Sequence, residues 1–422
     1  MKPISFIIPS RNNLKYLKQA YESIRKNSSV EHEICIADDA STDGTMEQVL
    51  VWMKRDKNIK LHINKGPERL GHTILYDTLV NEYATHDVVM IFHADMYLCP
   101  NSDIEIEKHL EPGKVVSLTR IEPPLHPDGP EKILQDFGIE PEEFRENNLL
   151  KWIRDEREQG EDKISNGIFA PWAIYKEDFQ RIGGHDPLYA PQSKEDSDIF
   201  NRFQLAGYKF IQTWQGFVYH MTCRGSRFKD GAMRNPAGQV FMKGRESTEW
   251  LEQNLRSTRN FIRKWGHMVK HDEMMYPIIP PKYDIGFVVH NCDANLLREL
   301  EPWCSSIYIK DTSLIVEYIT EEQKNTDFDL TKRVKPYIDK VNKSADSLLK
   351  LNSRLKSSYE WKNHNILVEF DAQKLNANNF QHLVNLSEIM SNSGEIGKLE
   401  LEIFKFNVKS LESYEKDLIL VK

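Results

Sequence analysis

The chain has 422 residues, 40% hydrophobic and 10% aromatic, enough for two or three domains with packed cores and outside the disordered range. Its 64 acidic against 56 basic side chains leave a formal charge of -8, which argues against a general nucleic-acid binder. The five cysteines form no Cys-x-x-Cys pair, no apolar run reaches the roughly 18–20 residues that span a bilayer, and Met1-Lys-Pro-Ile-Ser leads into a strand pattern without a signal peptide. The expectation is a cytoplasmic protein without zinc cluster or transmembrane segment, compatible with peripheral membrane contact.

The first hundred residues alternate strand and helix patterns. Residues 4–8 form a short apolar strand, followed by the turn Pro9-Ser-Arg-Asn-Asn. Leu14, Leu17, Tyr21 and Ile24 then recur at helical spacing. Residues 34–37 predict a second strand that ends in Asp38 and Asp39. A helix through Met46, Val49, Leu50 and Met53 comes next, then a strand over 60–63 and a helix over 73–84. The nearly continuous apolar run 88–92 reads as a strand buried on both faces, and it breaks off into His93-Ala-Asp95. Four largely parallel strands are expected. In such a sheet ligands bind beyond the carboxyl ends of the strands, so two acidic strand tips at one edge predict a site for a divalent cation and a nucleotide.

Pro123, Pro124, Pro127 and Pro130 mark an irregular loop, and a charged helical stretch lies over 142–158. Residues 169–175 read as a strand, Gly183-Gly-His-Asp as a turn, 196–206 as a helix, and 215–220 as a strand ending in His220. Pro277, Pro280 and Pro281 suggest a linker over 277–281. The expected organisation is therefore a first domain over 1–276, the linker, and a smaller α/β domain of unknown role over 282–422. In the latter, strands are expected at 285–289, 306–309, 366–370, 399–406 and 418–421. A helix is expected at 294–300, and a long amphipathic one over 334–359 with Lys340, Lys343, Lys350, Arg354 and Lys356 on its polar face.

Ile7-Ile-Pro-Ser-Arg-Asn, Ile36-Ala-Asp-Asp-Ala-Ser-Thr-Asp-Gly-Thr and Ile91-Phe-His-Ala-Asp occur in order. Ser193-Lys-Glu-Asp-Ser-Asp-Ile-Phe-Asn-Arg-Phe-Gln-Leu-Ala-Gly-Tyr comes after them. Together these segments resemble a family 2 glycosyltransferase with the GT-A fold, a Rossmann-like, mostly parallel mixed sheet flanked by helices. The resemblance covers residues 4 to about 228. It implies transfer of a sugar, usually with inversion, from a nucleotide diphosphate sugar such as a UDP-sugar to a glycan or glycolipid acceptor, with Mn2+ or Mg2+ as cofactor.

It also implies roles for single residues. Asp95 is the expected metal ligand. His93 stands where the family usually has an aspartate, and His220 is a further candidate ligand. Asp39 would accept an N–H of a pyrimidine base, since an ionised carboxylate only accepts. Asp38 braces or lines the same pocket with Pro9, Ser10, Arg11 and Ala94, and Arg224 and Arg227 would clamp the diphosphate. Asp196 is the expected general base, with Glu195 the alternative of the pair. Asp186 and Trp172 are acceptor candidates, and Asp198 is expected to pair with Arg202. Two rival readings stay open. A sugar-1-phosphate nucleotidyltransferase should have a glycine-rich loop after the first strand, which Pro9-Ser-Arg-Asn-Asn is not. A non-catalytic carbohydrate-binding or scaffold protein is suggested by His93.

Overall fold

The computed structural model describes residues 2–160, 162–222, 231–243, 246–337 and 363–421. The chain forms two compact units. The first comprises Met1–Leu255, His271–Ile278 and Ile419–Lys422, and the second Arg256–Lys270 and Ile279–Leu418.

The first unit begins with β1 (Ile4–Ser10), α1 (Leu14–Asn27), β2 (Glu33–Asp39), α2 (Thr45–Met53), β3 (Ile59–Asn64), α3 (His72–Thr78) and β4 (Val88–Ile91). It continues with β5 (Met96–Leu98), α4 (Ser102–His109), β6 (Lys114–Glu122), β7 (Lys132–Leu134), α5 (Glu146–Gln159), β8 (Ile164–Ser165) and β9 (Trp172–Tyr175). Then come α6 (Lys176–Arg181), α7 (Glu195–Leu205), β10 (Lys209–His220) and a hairpin of β11 (Ala232–Arg234) and β12 (Val240–Met242). The next helix, α8 (Thr248–Trp265), belongs to this unit as far as Leu255.

The sheet order is β3-β2-β1-β4-β9-β6-β10-β5, with β7 beside β6 and β8 beside β10. Strands β3, β2, β1 and β4 are parallel, β9 runs against β4 and β6, and β10 returns parallel to β6. This is the expected α/β sheet, mostly parallel and flanked by helices. All four residues of β4 and nearly all of β1 are buried, which is why both read as apolar runs. Consecutive strands β1 and β2 build outward in one direction while β4 lies on the other side of β1. A crevice therefore opens between the carboxyl ends of β1 and β4.

Several elements differ from the sequence expectation. The strand expected over 169–175 begins only at Trp172, and that expected over 215–220 starts at Lys209. Central strand β6 has no counterpart among the expected strands. Its apolar Val115, Val116, Leu118 and Ile121 are interleaved with Ser117, Thr119, Arg120 and Glu122, which are also buried, so no apolar run marks it.

The second unit contains β13 (Ile285–His290), α9 (Ala294–Leu300), β14 (Ser306–Ile309), α10 (Thr312–Glu322), α11 (Leu330–Arg333) and β15 (Val334–Pro336). After these come β16 (Ile366–Asp371), α12 (Ala377–Val384), α13 (Leu386–Ser393), β17 (Gly397–Leu401) and β18 (Phe404–Val408). The order is β15-β14-β13-β16-β18-β17, parallel as far as β16 and antiparallel beyond it. At its centre the fully buried Glu301 accepts a 2.9 Å bond from Arg263 Nε and also pairs with Arg333. These cations overcome burial and hold its carboxyl at about 2.

Here too the sequence expectation is corrected. Val334–Pro336 is a strand, not a helix start, because it pairs with β14. The remainder of the expected long helix, with its lysines and Arg354, lies outside the described residues. The stretch 399–406 spans parts of two strands, and Glu415–Leu418 is a 3-10 turn where a strand over 418–421 was expected. Among the described residues no helix is long and apolar enough to cross a membrane.

The expected pair on α7 is present and fully buried. Arg202 Nε donates to Asp198 at 2.7 Å, and its other nitrogens cap the carbonyls of Ile182 and Gly184 at 2.9 and 2.6 Å. Removing the cation would strand the Asp198 carboxylate in the core, which costs about 3–5 kcal/mol. Arg202→Ala should accordingly lower the denaturant midpoint of the first unit markedly. An unchanged midpoint would show that the pair does not anchor α7.

Candidate active site

The carboxyl ends of β1, β2, β4 and β10 meet around a cleft of about 390 Å³. Its lining includes Pro9, Ser10 and Arg11 from the end of β1, Asp39 from β2, and His93, Ala94 and Asp95 beyond β4. His220 comes from β10 and Glu195 and Asp196 from the start of α7. Segments more than 200 residues apart in sequence thus converge because parallel strands deliver their carboxyl ends to one edge.

His93, Asp95 and His220 present three ligand atoms within 4.8 Å of one another. A bulge in β10 sets His220 in place. Thr213 pairs with Leu118 while Phe217 pairs with the next residue, Thr119, so three residues loop out and Tyr219 comes to lie beside Ile121. The next residue, His220, then stands against the end of β6, where its Nδ1 lies 2.8 Å from Glu122. Its Nε2 is 3.4 Å from Asp95.

Burial alone would lower the basicity of His220, but Asp95 and Glu122 outweigh it and raise the pKa to about 9. His93, 5.5 Å away between ring centroids, goes the other way. Burial and the charge of His220 lower its pKa to about 4, so its ring is neutral at neutral pH. Glu122 fixes the orientation of the His220 ring, as carboxylates behind metal-bound histidines do. Two imidazoles and a carboxylate converging in this way fit a divalent cation, which would displace the proton from His220 Nε2.

The acid pair comes directly after a tight backbone turn. Ser193 and Lys194 adopt φ of 82° and 75°, a region that costs L-residues roughly 1–2 kcal/mol each. Neighbouring side chains restrain it. Ser193 Oγ and Lys194 Nζ donate to Asn254 at 2.7 and 3.1 Å, and Gln253 Nε2 donates to the carbonyls of Ala190 and Gln192 at 3.3 and 3.1 Å. Glu195 is buried and lies 2.6 Å from His72 Nε2. Burial works against its charge, yet His72 holds its carboxyl below the ordinary value. Burial and the neighbouring Glu195 instead push Asp196 up to about 6.

Asp39 is a structural anchor as well as a lining residue. Its carboxylate accepts from Asn64 Nδ2 at 2.7 Å and from the Leu70 and Gly71 N–H groups at 2.9 Å each. Gly71, with φ +80°, packs so closely that an added Cβ would come within 2.0 Å of the Pro191 carbonyl oxygen. Arg11 Nη1 donates to the Asp39 carbonyl at 3.2 Å. Ser10 Oγ is buried without a hydrogen-bond partner among the described residues.

Other sequence candidates lie elsewhere. Asp38 is buried beside Asp39 but absent from the lining, and burial raises its carboxyl. Asp186 accepts from the Leu188 N–H at 3.0 Å, capping a 3-10 turn, and does not line the cleft. The expectation that Trp172 stacks on a sugar is corrected. Its ring is wholly enclosed by Phe179, His185, Phe200 and Phe203 and offers no face to a ligand. Arg224 and Arg227 fall outside the described residues.

Arg69, His72, Tyr76, His126, Gln192 and Trp250 also line the cleft, and none of them stood out in the sequence. A partial signal existed for two of them. The basic pair in Arg69-Leu-Gly-His72 lies after β3 and at the start of α3, so it falls on the same sheet edge as the aspartates. Trp250 has no such signal, since its distance from the strands in sequence hides its placement.

Residues 5–183 match the family model described as glycosyl transferase family 2. A stretch of 110 residues is 33% identical to the abequosyltransferase RfbV of Salmonella typhimurium strain LT2. It covers 26% of this chain and 32% of that protein, so the chain spans about a third of the length of this curated relative. Among solved structures, partial likeness extends to GalNAc-T7 with UDP, GalNAc and Mn2+ (TM-score 0.42, 13% identity, 63% of this chain and 51% of that one). It extends also to the mannosyltransferase PcManGT of Pyrobaculum calidifontis with GDP-Man and Mn2+ (TM-score 0.38, 20% identity, 53% and 58%). The family match contains the strand ends that carry Asp39, His93 and Asp95, whereas Glu195, Asp196 and His220 lie beyond it and stand on geometry. Residues 5–183 are thus similar to glycosyl transferase family 2.

Proposed function

We propose that this protein is a metal-dependent inverting glycosyltransferase that moves a sugar from a nucleotide diphosphate sugar, UDP-linked, to a hydroxyl of a glycan or glycolipid. The observation that carries the reading is the pairing, in one cleft, of a cation-binding triad with a carboxyl whose pKa is raised to about 6. His93, Asp95 and His220 would hold the ion, and a nitrogen-rich donor set favours Mn2+ over Mg2+. Such an ion supplies charge neutralisation for a departing nucleoside diphosphate.

The chain's own groups account for the remaining chemistry. Asp196 is mostly ionised at neutral pH yet basic enough to take the proton of an attacking hydroxyl, the balance that general-base catalysis requires. An ionised carboxylate offers about four acceptor positions. Asp39 uses three of these on Asn64, Leu70 and Gly71, and one remains for a single base N–H. Arg11 and Arg69 bring positive charge to the cleft for the diphosphate. Trp250, in place of the enclosed Trp172, supplies an aromatic face for a sugar ring.

Two substitutions test binding and chemistry separately. Asp95→Ala should leave the protein folded while abolishing Mn2+-dependent affinity for UDP by calorimetry. Unchanged affinity in the folded variant would remove Asp95 from the metal site. Asp196→Asn should keep donor affinity and lower turnover by roughly 10²–10⁴-fold with the donor in excess. Near-normal turnover would exclude Asp196 as the base. Binding without any metal-dependent release of nucleotide from the unmodified protein would favour a non-catalytic carbohydrate-binding role.

A further inference from the structure

The Glu195–Asp196 pair poses a chemical problem. Two adjacent carboxyls at the start of one helix repel each other when both are ionised, and without a further influence they would share one proton between them. Here the two have different surroundings. Glu195 also lines the cleft but is only 5% exposed, with Oε1 at 2.6 Å from His72 Nε2. Asp196 has no comparable partner among the described residues; it is half-buried and lines the cleft.

His72 is itself placed by the fold. It opens α3 directly after Gly71, whose N–H is held by Asp39 and whose missing side chain lets the chain pass against Pro191. The Tyr76 ring, one turn on, lies 5.6 Å from the His72 ring and also lines the cleft. Asp39, which lines the same cleft, thus also holds the backbone directly before the residue that reaches the acid pair.

We propose that His72 is a positioning residue that divides the roles within the acid pair: its hydrogen bond locks Glu195 as a permanent acceptor and leaves Asp196 alone to take the acceptor's proton. This rests on Asp196 being the base. The charged and titratable groups facing this centre are Glu195 and Asp196 from α7, Tyr76 from α3, Arg69 from the preceding loop, His93 from beyond β4 and His185 before α7. Burial disfavours charge on His72, but Glu195 outweighs it and raises the imidazole above its ordinary value. The imidazolium in turn keeps Glu195 ionised, and the charge of Glu195 is a main reason, after burial, that Asp196 is raised.

Each perturbation has a definite sign. Glu195→Gln removes the negative neighbour, so the Asp196 carboxyl should titrate at lower pH, by roughly one unit, and the His72 ring should also titrate lower. His72→Gln keeps a hydrogen-bond donor but removes the positive charge. Glu195 is then no longer held down, the two carboxyls compete for one proton, and the Asp196 midpoint should rise. His72→Arg, which keeps the charge, should restore it toward the unmodified value.

The direct measurement is NMR titration of the Asp196 carboxyl carbon and the His72 ring in the full chain, which needs no substrate. The acid limb of UDP release from UDP-glucose with Mn2+ should move in the same directions. An Asp196 midpoint that stays in place in both Glu195→Gln and His72→Gln overturns the proposal. So does a His72 midpoint unmoved by Glu195→Gln, which also decides the matter if His72→Gln does not fold. Asp196→Asn with intact turnover would instead refute the base assignment itself, an outcome distinct from an unmoved titration.

Discussion

Taking a carboxylate out of water costs several kcal/mol unless a counter-charge or a set of hydrogen bonds goes with it. The cleft edge of the first unit gathers Asp39, Asp95, Glu122, Glu195 and Asp196, three of them buried. Each is answered in its own way. Asp39 is satisfied by two backbone N–H groups and Asn64, Glu122 by His220 and the cations Arg120 and Lys132, and Glu195 by His72. Asp95 shares His220 with Glu122, and Asp196 receives the least direct compensation. The carboxyl raised to about 6 is therefore the one the surrounding structure leaves least satisfied, a condition suited to proton transfer.

The histidines do different work from one another despite lying in one cleft. His220, between two carboxylates, is driven toward the charged form, while His93, beside that charge, is driven toward the neutral one. A neutral ring offers a lone pair to a cation, and the Glu122 contact orients its neighbour. An imidazole at position 93 would offer a cation a softer donor than a carboxylate does. His72 pairs instead with Glu195 of the acid pair.

Local strain and burial are concentrated where α7 begins. Two successive non-glycine residues at positive φ set up the first turn of the helix. Asn254 and Gln253 from α8 restrain that turn, and the Asp198–Arg202 pair anchors the helix body from within. The acidic residues of the first turn also suit the positive end of the helix dipole. The position of Asp196 in the cleft is thus the outcome of contacts from three separate parts of the chain.

The amino-acid sequence alone determined the α/β alternation, the apolar strands β1, β2 and β4, and the acidic tips at Asp39 and Asp95. These are set by local period and by the residues that terminate a strand, and both are visible along the chain. It also carried the family resemblance, since the motifs are contiguous and ordered. Only the tertiary structure decided the rest. Strand β6 hides because its polar residues are buried by its central place in the sheet, which no local pattern reports. Trp172 and Trp250 look alike as sequence, yet one is sealed among aromatic rings and the other lines the cleft, because exposure depends on what packs around a side chain. The pairing of His72 with Glu195, 123 positions apart, and of His220 with Glu122, 98 apart, likewise exists only once the sheet brings its strand ends together.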